Sequence, residues 1–377
     1  VDGGLLYRLL VAQSCADLVA VVVAWTLPAL NFVVGALISA SAGYLGMYVA
    51  VRANVREGGR IIFAVSEDIF IYGASAPFYI PNADALVNFY EKVANVPGVD
   101  YVPLSHATIA PAVVNPHLIK ELSKILLPKS VLRNPRSTYP GNRILSPLIG
   151  IETGSPRLAA LTMSGKALPF DIRDWQEIVV EGTNILNENH WFPVYTFIVG
   201  LPNETDDDIK QSLDLLKRLR KNKVIYVPSI FTPLEDTRMA SGRALKPREL
   251  TQLQWEFILT AWKQSRELGV VNESSNWLWK VGMFAFYHLR GRWVHGPQFR
   301  YPAMRFAGIP ESRLRNHLYL DLTDSAPPQP ARPPRLVAKH RGSTLEELAR
   351  LQDGQPFSVY GTTRLEGASP FRVVGQA

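Results

Sequence analysis

One cysteine, Cys15, in 377 residues excludes a disulfide framework, a zinc site of several thiolates and any iron–sulfur cluster held wholly by this chain's own thiols. Other signatures are missing too. No Gly-x-Gly-x-x-Gly opens a helical pattern, and Gly165-Lys166 is followed by Ala167, with Ala160 where a phosphate-binding loop needs glycine. There is no His-Glu-x-x-His, no Gly-x-Ser-x-Gly elbow, and the seven histidines are scattered. Hydrolase and kinase readings therefore lose their sequence support.

What is there is the composition of a folded protein: 47% hydrophobic and 19% charged residues, enough for one large domain or two ordinary ones. The 28 prolines and 26 glycines fit a fold with many tight loops better than a long helical bundle. The formal charge of +7 is lopsided, because residues 1–279 balance while 280–377 carry 14 Lys/Arg against 7 Asp/Glu. An anionic partner for that quarter (nucleic acid, anionic lipid or a phosphorylated substrate) stands against a solvated basic surface, since no compact basic block occurs.

Residues 1–53 are atypical. Between Arg8 and Arg52 the only charge is Asp17, and residues 18–51 form an uncharged run of 34. Two spans, roughly 5–27 and 32–51, could form a membrane hairpin turning at Pro28, with Arg8, Arg52 and Arg56 on one side. Asp17 opposes this, at a cost on the order of 3 kcal/mol near a span centre. The run is too long, and lacks the flanks, for a cleaved secretory signal.

From about Val55 the pattern changes to short apolar strands alternating with amphipathic helices. Strands are expected at 60–66, 99–105, 143–151, 191–199 and 223–231, with helices at 82–94, 116–126, 172–188, 206–220 and 246–268. A helix in each gap is the signature of βαβ units and a parallel sheet, barrel or open. The divisions expected are 54–240 for this α/β unit, 241–323 for a helical, aromatic-rich region forming a small core of its own, and 324–377 for a Pro-rich linker with a disordered tail.

Ligands of parallel α/β folds gather at the carboxyl ends of the strands. There the sequence places Glu67 and Asp68, Ser105 and His106, Glu152 between Gly150 and Gly154, Glu204 in Gly200-Leu-Pro-Asn-Glu, and Ser229. Glu152 can accept hydrogen bonds from ribose-like hydroxyls, while Glu204 can also serve the dipole of the helix that follows.

Gly150-Ile-Glu-Thr-Gly-Ser155, then Met163-Ser-Gly-Lys166, then Thr196-Phe-Ile-Val-Gly-Leu-Pro-Asn-Glu-Thr205, preceded by Phe63-Ala-Val-Ser-Glu-Asp-Ile-Phe70 and Tyr72-Gly73, resemble the radical S-adenosylmethionine (SAM) superfamily. The likeness is to the subgroup often preceded by a cobalamin-binding domain and runs over about 54–321. It implies a partial (β/α)6 TIM-like barrel of parallel strands, a 4Fe-4S cluster that reduces SAM to a radical, and a reductant such as ferredoxin or flavodoxin. By the same resemblance Glu152, Thr153, Gly154 and Ser155 hold the ribose or methionine end of SAM, and Gly200, Leu201 and Pro202 line its adenine with Glu204 fixing the loop. Glu67, Asp68, Ser105 and His106 face a cavity for a substrate that the sequence does not identify. The resemblance makes Cys15 the one cluster ligand.

The family's Cys-x-x-x-Cys-x-x-Cys would need thiols where this chain has Val19 and Val22, and its 377 residues have no room for the cobalamin domain. Three accounts follow: a misread, frameshifted or truncated start; a genuine hairpin making a membrane-tethered SAM-binding or scaffold protein without catalysis; or an unrelated parallel α/β binding protein. The expected location is the cytoplasm, with membrane anchoring through residues 5–51 on the second account.

Overall fold

A computed structural model describes residues 61–66, 68–74, 80–233, 239, 242–268, 277–323 and 331–335. Cys15, Glu67, the apolar segment and the tail beyond Arg335 lie outside the described residues. Among those described, no helix is long and apolar enough to cross a membrane.

The class is α/β with a parallel sheet, as expected. Four strands run in sequential order: β1 (His106–Ala107), β2 (Leu148–Glu152), β3 (Val194–Val199) and β4 (Ile225–Ile230). Every pairing is parallel. Just before β1, parallel bridges Ile61–Tyr101 and Ala64–Leu104 continue the pattern outward. When each crossover joins a strand to its next neighbour with the usual right hand, all connecting helices fall on one face of the sheet. Burial alternates accordingly. Ile149, Ile151, Tyr195, Phe197 and Tyr226 are buried, whereas Leu148, Glu152, Val194 and Thr196 are half-buried and Val227 is exposed.

The strands are shorter than the apolar pattern predicts, and proline explains the late starts of β2 and β3. Pro147 and Pro193 have no N–H to give a ladder, so β2 and β3 start just after them while the carbonyls of both still accept from Val194 and Ile225. Pro228 is tolerated inside β4 because that strand is the last of the described sheet and needs donors on one side only. The second expected strand is displaced: regular pairing forms at His106–Ala107, so His106 lies in β1 and not in the loop after it.

Five helices fall where the sequence places them, the last starting only at Gln252, and four more among the described residues were not expected. In chain order the helices are α1 (Ala83–Ala94), α2 (Ala110–Val114), α3 (Pro116–Leu126), α4 (Pro156–Thr162), α5 (Trp175–Glu188), α6 (Asp206–Arg218), α7 (Gln252–Leu268), α8 (Trp277–Phe286) and α9 (Arg300–Phe306). Asn82 and Asn115 cap α1 and α3, each accepting a backbone N–H three residues on. A Cβ on Gly182 of α5 would come within 2.7 Å of Ile109, so glycine is what lets α5 lie against α2. Helix α7 packs on β4 and α6, and α9 packs on α7. The carboxylate of Glu256, fully buried in α7, accepts from Arg305 Nη1 (2.9 Å) and from the backbone N–H groups of Tyr319 (2.9 Å) and Leu320 (2.8 Å), fastening the C-terminal region to the sheet unit. Part of the expected linker is also docked: Arg332 N donates to Glu177 Oε2 (2.9 Å) and Arg335 pairs with Asp174 (2.8 Å), both at the start of α5.

Candidate functional site

The carboxyl end of β2 departs from regular geometry. Gly150 pairs with Thr196 and Glu152 with Phe197, so two residues of β2 advance against one of β3 and leave a bulge at Ile151. Thr153 N donates to Ile151 O (2.7 Å), closing a three-residue turn around Glu152, whose φ is +61°. Glutamate in that left-handed region carries strain, and both bulges and strain of this kind concentrate at functional sites.

The turn aims the Glu152 side chain at the half-buried face. Its Oε1 lies 2.8 Å from Lys166 Nζ, and its Oε2 accepts from Thr196 Oγ1 at 3.4 Å. Lys166 also donates to Gly150 O (3.0 Å). Gly150 is required here, because a Cβ would collide with both Glu152 Oε1 and Lys166 Nζ. The result is a carboxylate and an ammonium held side by side over the strand end, each partly accessible.

The next three residues face another way. Thr153 and Ser155 are buried, and with Gly154 they tie the β2–α4 loop to α6. Gly154 N donates to Ser212 Oγ (2.9 Å), Ser155 Oγ to Asp208 Oδ1 (2.5 Å), and Thr153 O accepts from Trp175 Nε1 (2.8 Å). A Cβ on Gly154 would lie 2.6 Å from Ser212 Cα. Asp208 also accepts from Arg157 and from Thr205 in a capping box. Burial pushes the Asp208 carboxyl up, but the bonds from Arg157, Ser155 and Thr205 outweigh it and hold the group well below the usual range. These side chains brace the scaffold, and Glu152 alone of the four turns its functional group to the open face.

After β3, Gly200 has φ +84° and its N–H donates to Glu204 Oε1 (2.9 Å), which also accepts from Gln254 Nε2 (2.7 Å) of α7. Burial raises the Glu204 carboxyl to about 7 against the lowering effect of these bonds. Leu201 is buried with Leu158 and Phe231, whereas Pro202 is half-buried. Glu204 therefore ties the loop to α7, and of the three loop residues Leu201 is turned into the core while Pro202 stays partly accessible.

At the β1 side, Ser105 Oγ donates to Ser66 O (3.1 Å) and accepts from Ser66 N (3.1 Å), clamping the two strand ends together. Asp68 is buried, caps the short turn Ile69–Ile71 and accepts from Phe70 N (2.9 Å) and Thr108. Burial raises its carboxyl, with Thr108, Phe70 and the charge of Lys166 pulling the other way. His106 is exposed on β1.

Lys166, Thr196 and Gln254 were not expected among the site residues. Lys166 sat in the Met163-Ser-Gly-Lys166 motif, but only the three-dimensional return of that segment over Gly150 gives it a role. Among the described residues no group of three His, Cys, Asp or Glu side chains could hold a metal ion. With Cys15 the single thiol of the chain, a three-thiolate cluster does not fit these residues. No protein-family model matches the chain, and no curated protein matches it either.

Proposed function

We propose that the chain is a radical SAM-type protein, a partial (β/α)6 barrel that binds SAM on the half-buried face of its sheet. The observation that carries this is Glu152, strained at a bulge on β2 and aimed at that face between Lys166 and Thr196. Sequential parallel strands with their helices on one side are what a barrel wall requires, and the family-like motifs of the sequence meet at its carboxyl end. A carboxylate so placed accepts hydrogen bonds from a vicinal diol such as that of an adenosyl ribose. Asp68, Ser105 and His106 line the same end toward the substrate.

The cluster that the family uses does not fit a chain with one thiol, so no radical step is assigned to these residues. Binding is what this chain's own groups supply. Calorimetry with SAM tests it: the wild-type chain should bind, and Glu152→Ala should weaken binding by about 1.5–3 kcal/mol, the range for a charge-assisted hydrogen bond. Equal affinity of the two proteins would remove Glu152 from the site, and absence of binding by the wild-type chain would remove the reading.

A further inference from the structure

We propose that the helical run 277–294 is a docking surface for an anionic lipid interface, which it enters with Val281, Phe284, Leu289 and Trp293. These four are exposed to 53, 58, 79 and 61%, far more than apolar side chains of a packed region normally are. Their alignment is set by the backbone. Helix α8 passes into a π-turn at Tyr287–Gly291 and then a last helical turn at Arg292–Val294. Across a π-turn residues five apart stand one above the other, so Phe284 and Leu289 line up. Val281 precedes Phe284 by three and Trp293 follows Leu289 by four, which completes a single stripe. Tyr287, Gly291 and His295, two positions from Leu289 and Trp293, are buried on the opposite side, Tyr287 against Phe299 and His295 against Trp255 and Phe299. Among the described residues the run is therefore anchored by one face, and the four apolar side chains of the other stay exposed.

Charge selects the occupant. Residues 277–310 contain no Asp or Glu, and Arg290, Arg292 and Arg300 are exposed among them. The Arg292 guanidinium lies 5.0 Å from the centre of the Trp293 ring, the pairing of cation and indole that suits a headgroup layer. An apolar stripe bearing Trp, Phe and Leu, flanked by arginines and free of acids, has the composition of a helix lying in a membrane interface. A second protein copy would bring the same arginines against each other without acids to meet them. This inference rests on neither Glu152 nor SAM.

The test uses the full chain in co-sedimentation with vesicles of phosphatidylcholine, with and without phosphatidylglycerol. The wild type should bind the anionic vesicles at least about tenfold more tightly than the neutral ones, and high salt should weaken that binding. The triple variant Phe284→Ser, Leu289→Ser, Trp293→Ser should lose at least about tenfold, and Arg290→Gln with Arg292→Gln should erase the preference for anionic lipid at unchanged helicity. Because residues 5–51 can engage lipid by themselves, the readout is the difference between wild type and variants, and equal binding by all three proteins overturns the proposal. So does equal affinity of the wild type for neutral and anionic vesicles. A lipid-free dimer that the triple variant dissociates would assign the stripe to a second copy, and a Leu289→Cys thiol shielded from maleimide in the lipid-free monomer would assign it to the chain's own remaining residues; either result overturns it.

Discussion

Lys166 Nζ stands 2.8 Å from Glu152 Oε1 and 3.0 Å from Gly150 O, so one ammonium bridges a side chain and the backbone two residues before it. The absence of a Cβ at residue 150 is what leaves room for this arrangement. Both colliding atoms are the ends of flexible side chains, which can swing out without disturbing the strand.

Gly150→Ala should therefore separate site from scaffold. Unfolding free energy should change by less than about 1 kcal/mol, as for substitutions that leave the core alone. On the proposed function, SAM affinity should fall by at least about tenfold, because the carboxylate is displaced from its position over the strand end. Urea denaturation and calorimetry on the same preparation check both halves. A loss of several kcal/mol in stability with intact binding would show that the pair is wedged in place and is structural.

Glu204 gives the loop after β3 a pH dependence. Its carboxyl is raised from 4.5 to about 7 by burial. For an acid whose pKa is higher in the folded state, the contribution to stability is complete below pH 4.5 and is lost as the pH rises through 7. The loss is at most about 3.5 kcal/mol, from some 1.4 kcal/mol per pKa unit. Glu204→Gln keeps an acceptor for Gly200 N and Gln254 Nε2, which both use Oε1, while removing the charge. Compared at pH 5 and pH 8, the wild type should lose stability across the interval through this group and the variant should not.

The buried pair of Glu256 and Arg305 predicts an asymmetry between two substitutions. Glu256→Ala leaves Arg305 Nη1 and two backbone donors in the interior without their acceptor, while Glu311 still pairs with the guanidinium, which should cost about 3 kcal/mol. Glu256→Gln keeps an acceptor for Arg305 and Leu320 and leaves only Tyr319 N facing a donor, so it should cost about half as much. Chemical denaturation of the three proteins at pH 7 provides the comparison.

The fold class was legible because it rests on periodicity: apolar runs alternating with amphipathic helices read directly as parallel βαβ units, and α3 matches its predicted range at both ends. Strand lengths were less legible, since Pro147 and Pro193 interrupt runs that are apolar throughout. Within the site, position at a strand end pointed to Glu152 and Glu204. Direction was hidden, because adjacent residues in a tight turn face opposite ways: Glu152 looks over the sheet while Thr153 and Ser155 look into α6. Lys166 was invisible as a partner, being fourteen residues from Glu152 on a separate turn. The aromatic stretch divides in a way that composition cannot express, with Tyr287 and Phe299 packed inside and Phe284 and Trp293 outside.

The docking of residues 331–335 on α5 imposes an order on assembly. Synthesis delivers Asp174 and Glu177 more than a hundred and fifty residues before Arg332 and Arg335, their partners near the far end of the described chain. Through that interval Glu177 has Arg218 of α6 to meet, whereas the bond between Arg335 and Asp174 awaits the late segment. Those contacts need the first turn of α5 to be formed, so on this geometry the segment docks after the helix that it clasps.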